Sequence, residues 1–471
     1  MVFSSLSFLF VFLPVLAVLY FITPEKWHNA RQYILLAFSL LFYGSGEPLY
    51  IFLILGCISL SWILTLYVEK HSKWALVLSI SINVIPLIIT KYSGFILSNV
   101  CGIIHAEGVA IPHIVMPIGI SFYTFQVITY IVDLYTGKTK RQKNPLLFAL
   151  YIMFFPQLIA GPIVKYSEVA ENLEAPDVSW DNVRYGICRF ITGLGKKVLI
   201  ANQAGYIASA IQDNQLSSLT TGMTWLCVIA YTIQIYFDFS GYSEMAIGLG
   251  RMFGFHFPEN FIDPYTSASV SDFWRRWHVT LGRFFREYVY IPLGGNRVNR
   301  WRWILNIFIV WALTGLWHGA SWNFVIWGVY YGVLIVIERV TGIDKKLPKA
   351  LSWIFTLFIV VLGWGIFMCD GITLRETAGF LAKLFFINGN ISNPVTIGSL
   401  KLWGYIPFLI IGFFASSPLW TGVVRNRITG LKNKNTAVME VINDAYMFVI
   451  LLMSLMFLMG GTYNPFIYFR F

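Results

Sequence analysis

Apolar runs of about 20 residues follow one another from the beginning of this chain to its end, and they restrict the fold more than any other feature. Hydrophobic residues make up 57% and charged residues 12%, against about 45–50% and 25% in soluble domains. A membrane β-barrel would show short alternating segments instead. We therefore read an all-α polytopic membrane protein, a single membrane-embedded domain over residues 1–471. About 11–12 spans are expected, near 5–22, 32–45, 48–68, 74–100, 113–135, 186–212, 222–249, 303–317, 322–340, 350–369, 401–418 and 439–460. The first run has no basic flank before it and no small-residue cleavage site, so it reads as a retained span.

The net charge of +11 reports topology before it reports partners. Lys26 and Arg31 follow the first span, Lys70 and Lys73 the third, and Lys138, Lys140, Arg141 and Lys143 the fifth, whereas the loop after the second carries no Lys or Arg. The positive-inside rule then places these basic loops in the cytoplasm and both termini outside. The run 145–160 is too short for two spans and is broken by Pro156 and Gly161. It is expected to be re-entrant or interfacial, with its irregular backbone shielded by protein.

Five scattered cysteines and seven histidines show no C-x-x-C or H-x-x-x-H spacing, so no metal site is expected. Neither a phosphate-binding G-x-x-x-x-G-K-[ST] loop nor a strand-borne G-x-G-x-x-G is present.

The polar stretch 251–302 carries eight arginines, no lysine and four acids. Within it, SVSDFWRRWHVTLGRFFREYVYIPLGG reads as one cytoplasmic amphipathic helix, opened by Ser269 and Asp272 in a capping-box spacing. Trp274, Trp277 and His278 fall on its apolar face, and Arg275 and Arg276 on the other. The histidine suits a packed, hydrogen-bonded role as well as a chemical one. The arginines suit membrane anchoring or attraction of a polyanionic donor such as coenzyme A.

Two spans carry polar residues at depth. Asp238, in QIYFDFSGYSE, could orient an imidazole or bond the backbone of a helix broken at Ser240-Gly241. Tyr123, Thr124 and Gln126 could line a polar path or join helices by hydrogen bonds. His318 lies in TGLWHGASW, near the tip of a hairpin whose two open ends carry Arg300, Arg302, Arg339 and Lys345. A histidine kept neutral by burial can serve as a general base near neutral pH. A proton relay in a transporter or a structural role is equally compatible with the spacing. No inverted internal repeat supports the transporter.

Several stretches together resemble one family: PIGISFYTFQ (117–126), FFPQLIAGPIVKY (154–166), FDFSGYSEMAIGLGRMFGFHFPENF (237–261), DFWRRWHVTLGRFFREYVYIPLGGNR (272–297) and TGLWHGASWNFVIWG (314–328), with the opening MVFSSLSFLFVFLP and the closing NPFIYFRF. The whole chain is similar to the membrane-bound O-acyltransferase (MBOAT) superfamily, in its alginate O-acetyltransferase branch. The departures are small: Thr314-Gly315 where Gly-Gly is common, and Tyr43-Gly44-Ser45-Gly46-Glu47-Pro48 where Y-A-W-G-E-P is common. The resemblance implies a helical bundle with re-entrant segments and a transmembrane tunnel. It implies His318 as the essential histidine and His278 as the second. Asp238, Arg275, Arg276, Trp277 and Trp317 become candidate donor- or substrate-binding residues. It further implies acetyl-CoA as donor with no bound cofactor, an exported polysaccharide or an extracytoplasmic acetyltransferase as acceptor, and a bacterial inner-membrane location. Transfer of D-alanyl from a carrier protein to a cell-envelope polymer is the alternative within the same family.

Overall fold

The computed structural model describes residues 1–106, 109–111, 114–387, 392–420 and 436–461. The closing NPFIYFRF and the first residue of the span expected at 113–135 lie outside the described residues. Among those described, every regular element is helical and none is a strand, as a chain that must satisfy its backbone polar groups inside a bilayer requires.

The expected spans fall where the apolar runs are: Phe8–Ile22, Glu25–Gly44, Tyr50–Val68, Lys73–Ile104, Trp322–Thr341, Lys349–Phe367 and Glu440–Met459. Five described helices are long and apolar enough to cross a membrane, or six if the pair Phe8–Ile22 and Glu25–Gly44, bent by 111°, forms one broken span. The other expected spans are shorter or more polar helices, among them Ile120–Tyr135 and Ile406–Ser416. The chain is a multi-pass membrane protein.

Contacts divide the chain into two compact units. The first comprises Met1–Phe190 and Ser243–Glu259. Its interior holds a cluster of phenylalanine rings, with Phe8 lying 5.4 Å from Phe12 and 6.2 Å from Phe155 between ring centres. Of the polar residues foreseen on the span after residue 113, Thr124 joins helices here. The Thr124 hydroxyl donates to the Asn83 carbonyl, and Asn83 Nδ2 donates to Ser61 Oγ at 2.8 Å. Of the two readings offered by the sequence, the interhelical bond is the one found at Thr124. The run 145–160 forms two short helices, Pro145–Met153 and Phe155–Leu158, broken at Phe154. Its residues are buried from Leu147 to Ala160, so the irregular backbone is shielded by protein. Helices Trp180–Gly195 and Thr221–Met252 approach closely at Gly186 and Gly248, where a Cβ on either would meet the other's carbonyl oxygen at 2.5–2.6 Å.

The second unit comprises Ile191–Tyr242 and Asn260–Phe471. Its defining piece is an antiparallel hairpin, Arg300–His318 followed by Trp322–Thr341. Asn299 caps the first helix by accepting from Arg302 N at 2.9 Å. The two helices nearly touch at Gly315 and Gly328. A side chain on Gly315 would collide with the Phe324 carbonyl, and one on Gly328 with the Trp311 carbonyl. Glycine is needed here for this close approach.

Elsewhere in this unit, Asp238 and Lys197 form a buried ion pair of 2.6 Å, each side chain no more than 3% exposed. Lys197 sits in a π-helical turn, Lys196–Ala201, and a Cβ on Gly241 would meet Gly193 O at 2.8 Å and Lys197 N at 3.1 Å. The helix carrying Asp238 runs unbroken from Thr221 to Met252, so the break anticipated at Ser240-Gly241 is not found. Removing one partner of such a pair costs about 3–5 kcal/mol.

Candidate active site

The amphipathic helix expected over 269–291 is interrupted. Val270–Arg276 and Val279–Phe285 are separate short helices, and His278 between them has a left-handed backbone with φ of 46°. Histidine tolerates this region better than bulkier or β-branched residues do. The cause is tertiary. Ile262 N donates to the Arg276 carbonyl at 3.0 Å, and Val279 N to the Asn260 carbonyl at 2.9 Å. The irregular segment 260–262 thus takes up backbone groups that an uninterrupted helix would have used.

Asn260 also organises the histidine. Its Oδ1 accepts from Thr280 Oγ1 at 2.9 Å and lies 3.0 Å from His278 Nδ1. An amide oxygen only accepts, so Nδ1 carries the proton and Nε2 keeps the lone pair of the neutral ring. Burial pushes the imidazole down to about 3, which keeps it neutral at physiological pH. Phe239 meets the ring edge-on at 4.7 Å.

The start of this segment is held just as firmly. Ser269 Oγ accepts from Asp272 N at 3.1 Å, as the capping spacing anticipated. Val270 N and Ser271 N donate to the buried Glu338 carboxylate, at 2.7 and 3.2 Å. A carboxylate is favoured at a helix N-terminus. Glu338 comes from the second hairpin helix, so it ties the Trp-Arg-Arg-Trp-His segment to the element that follows His318. Sequence reasoning passed over both Glu338 and Asn260. Their partners are 68 and 18 residues away.

A cavity of about 470 Å³ opens beside this segment. Arg275, Arg283, Arg286 and Arg339 line it against a single carboxylate, Glu287, and Trp274, Trp277 and His278 contribute to its walls. Thr314 lines it too. Thr314 stands four residues before His318 on the same helix, a rise of about 6 Å. Arg276 does not line the cavity and is instead paired with Asp272 at 2.9 Å. Asp238 and Trp317 are also outside its lining.

His318 ends its helix at the hairpin tip and is 3% exposed. Trp317, Trp327 and Phe367 stand 4.9, 5.1 and 5.1 Å from it between ring centres, and Phe324 6.4 Å. Trp317 also lies 5.7 Å from His278. The two histidines foreseen from the sequence thus flank one indole, although neither the hairpin nor the 270–285 segment announces the other.

A buried histidine thus lies one helical turn from an arginine-lined cavity within a multi-pass helical scaffold. Comparison with known proteins identifies the class of this scaffold. Residues 140–375 match the family described as MBOAT, membrane-bound O-acyltransferase family. The chain is 35% identical to the probable alginate O-acetylase AlgI of Pseudomonas putida, over the full length of both chains. It is 37% identical to the probable alginate O-acetylase AlgI of Azotobacter vinelandii, over 89% of this chain and 87% of that one. It is 34% identical to the peptidoglycan O-acetyltransferase of Helicobacter pylori, over 83% and 80%. This chain belongs to the membrane-bound O-acyltransferase family and is an acyltransferase.

Proposed function

We propose that the protein moves an acetyl group from a cytoplasmic donor, acetyl-CoA, across the bacterial inner membrane to O-acetylate an exported polysaccharide such as alginate. One observation carries this reading: His318 is buried at the tip of a hairpin, one helical turn beyond a cavity lined by four arginines. The hairpin's open end carries Arg300, Arg302 and Arg339, which by the positive-inside rule belongs in the cytoplasm. The tip then points outward, and both termini lie outside.

In this account the arginines attract the phosphates of the donor, with Arg275 and Trp277 at the cavity wall and Arg276 holding Asp272. His318 acts as general base. It takes the proton of an acceptor hydroxyl as that oxygen attacks the thioester carbonyl carbon. The carbon–sulfur bond breaks, the acyl–oxygen bond forms, and the proton passes to the departing thiolate. Such a base contributes about 10²–10⁴-fold. His278, neutral and fixed by Asn260, assists as a hydrogen-bonding group on the cavity side, and Trp317 spaces the two rings. Asp238, bound to Lys197, supports the scaffold.

The acceptor hydroxyl belongs either to the glycan or to an extracytoplasmic acetyltransferase that passes the acetyl group on. The relatives named for alginate and for peptidoglycan have nearly equal identity to this chain, so the glycan is settled by experiment. Ester-linked acetate should be measured polymer by polymer in a deletion strain and after complementation. Loss from one exported polymer, restored by the wild type but not by His318→Gln at equal protein level, is the expected result. Unchanged acetate in every exported polymer would overturn the proposal.

A further inference from the structure

We infer that a groove on the second unit binds an anionic phospholipid, with one acyl chain in the groove and the head group beside Lys346 and Lys349. The inference concerns the lipid around the protein and stands apart from the acyl-transfer reaction.

The groove, of about 410 Å³, runs along the membrane span Lys349–Phe367, with Thr221–Met252 and Ile406–Ser416 as its other helical walls. Ile229, Ile354, Phe358 and Phe413 line it and are exposed, so it opens sideways onto the surface that meets bilayer hydrocarbon. Six lining residues carry a polar side-chain group: Trp225, Thr232, Tyr265, Trp353, Ser416 and Ser417. Each donates to a backbone carbonyl, at 2.7 to 3.1 Å. No lining donor is left to hold a polar ligand, and hydrocarbon suits the interior.

Length and charge select the occupant. On the span, Trp353, Leu357 and Val361 line the groove at intervals of four residues. This stripe covers about 12 Å, close to the roughly 15 Å of hydrocarbon in one leaflet. A partner's transmembrane helix would need a face through both leaflets. One turn before Trp353 the same stripe reaches Lys349, with Lys346 just ahead of it, and both lysines are exposed. Asp344 is the acid nearest to them in sequence. Trp353 marks that end as the interface, where an indole is favoured. Cations beside an interhelical groove at the basic end of spans hold anionic head groups. A phospholipid with its phosphate at the lysines lays one chain along the stripe toward Trp225, which stands 6.1 Å from Phe358 between ring centres.

The test places the purified full-length protein in phosphatidylcholine liposomes. These carry a trace of phosphatidylglycerol or of phosphatidylcholine with a photoactivatable diazirine on one acyl chain. Labelled peptides are identified by mass spectrometry. The phosphatidylglycerol probe should label residues 225–233 and 353–361 more strongly than the phosphatidylcholine probe does. Lys346→Gln and Lys349→Gln should each lower that preference about fivefold at low salt. Val361→Trp, which fills the groove, should abolish labelling of both stretches and leave that of Tyr50–Val68 unchanged. If Val361→Trp is not recovered in the membrane, Ile229→Trp at the rim takes its place. Equal labelling by the two probes, or a preference that survives both lysine substitutions, would overturn the proposal. So would groove labelling that the tryptophan variants leave unchanged, which marks ordinary surface lipid only. Cross-links between copies of this chain in place of lipid adducts would put a second copy in the groove and overturn it too. His318→Gln should label as the wild type does, so loss of acyl transfer and loss of lipid binding are read separately.

Discussion

His278 and His318 are both buried and share Trp317 as a neighbour, yet they differ in backbone and in access to the cavity. His278 sits at a left-handed break, hydrogen-bonded to Asn260 and forming part of an arginine-rich cavity. His318 sits at the end of a long apolar helix, inside four aromatic rings. The N–H of the His278 imidazole is committed to Asn260, which fixes the ring; an imidazole among apolar rings is sheltered from water and acts on whatever is brought beside it. In the proposed function, donor handling falls to His278 and the transfer to His318.

Exchanging the two residues' fates is the strongest way to break this contrast. His318→Gln should lower transfer by about 10³-fold or more, whereas His278→Gln should lower it by about 10–100-fold, measured as initial rates at matched protein level. Equal losses would erase the distinction. Next in size is Asn260→Ala, which removes the acceptor on His278 Nδ1. It should copy most of the His278→Gln loss and add little to it in the double variant, because the two act as one unit. Full additivity would separate them.

A smaller effect is expected at the cavity mouth. Arg275→Ala with Arg339→Ala should raise the apparent KM for a phosphorylated donor about 10-fold at low salt, with a smaller effect on kcat, and the gap should narrow as salt screens the remaining charges. A fall in kcat alone would place these arginines elsewhere in the cycle.

A separate effect is expected on stability. His278 has a folded value of about 3, below the ordinary 6.5 of an unfolded chain. The unfolded state therefore binds the extra proton first, and acid destabilises the protein from about pH 6.5 down toward 3, by at most about 1.4 kcal/mol per pH unit. His278→Gln should flatten this part of the stability profile in detergent. An unaltered slope would show that other groups carry it.

The hairpin was legible in the sequence almost to the residue. The expected 303–317 and 322–340 are observed as Arg300–His318 and Trp322–Thr341. Its signals are local: apolar length and basic ends. The 269–291 segment was misjudged as one helix, because what interrupts it is distant in sequence. Asn260 and Ile262 capture backbone groups on either side of His278, and local periodicity carries no trace of that. Asp238 was recognised as a buried acid needing a partner, but Lys197 stands 41 residues earlier, in another helix. Phe367, 5.1 Å from His318 between ring centres, looks like any apolar residue at the end of a span until the hairpin is folded against it.

The central claim is that acyl transfer passes through His318. It is tested most directly with the purified protein in liposomes, loaded with radiolabelled acetyl-CoA and a soluble glycan acceptor, comparing wild type, His278→Gln and His318→Gln at equal incorporation. The account predicts labelled ester in the wild type, a reduced but measurable amount with His278→Gln, and background with His318→Gln. Wild-type levels of labelled ester from His318→Gln would contradict it.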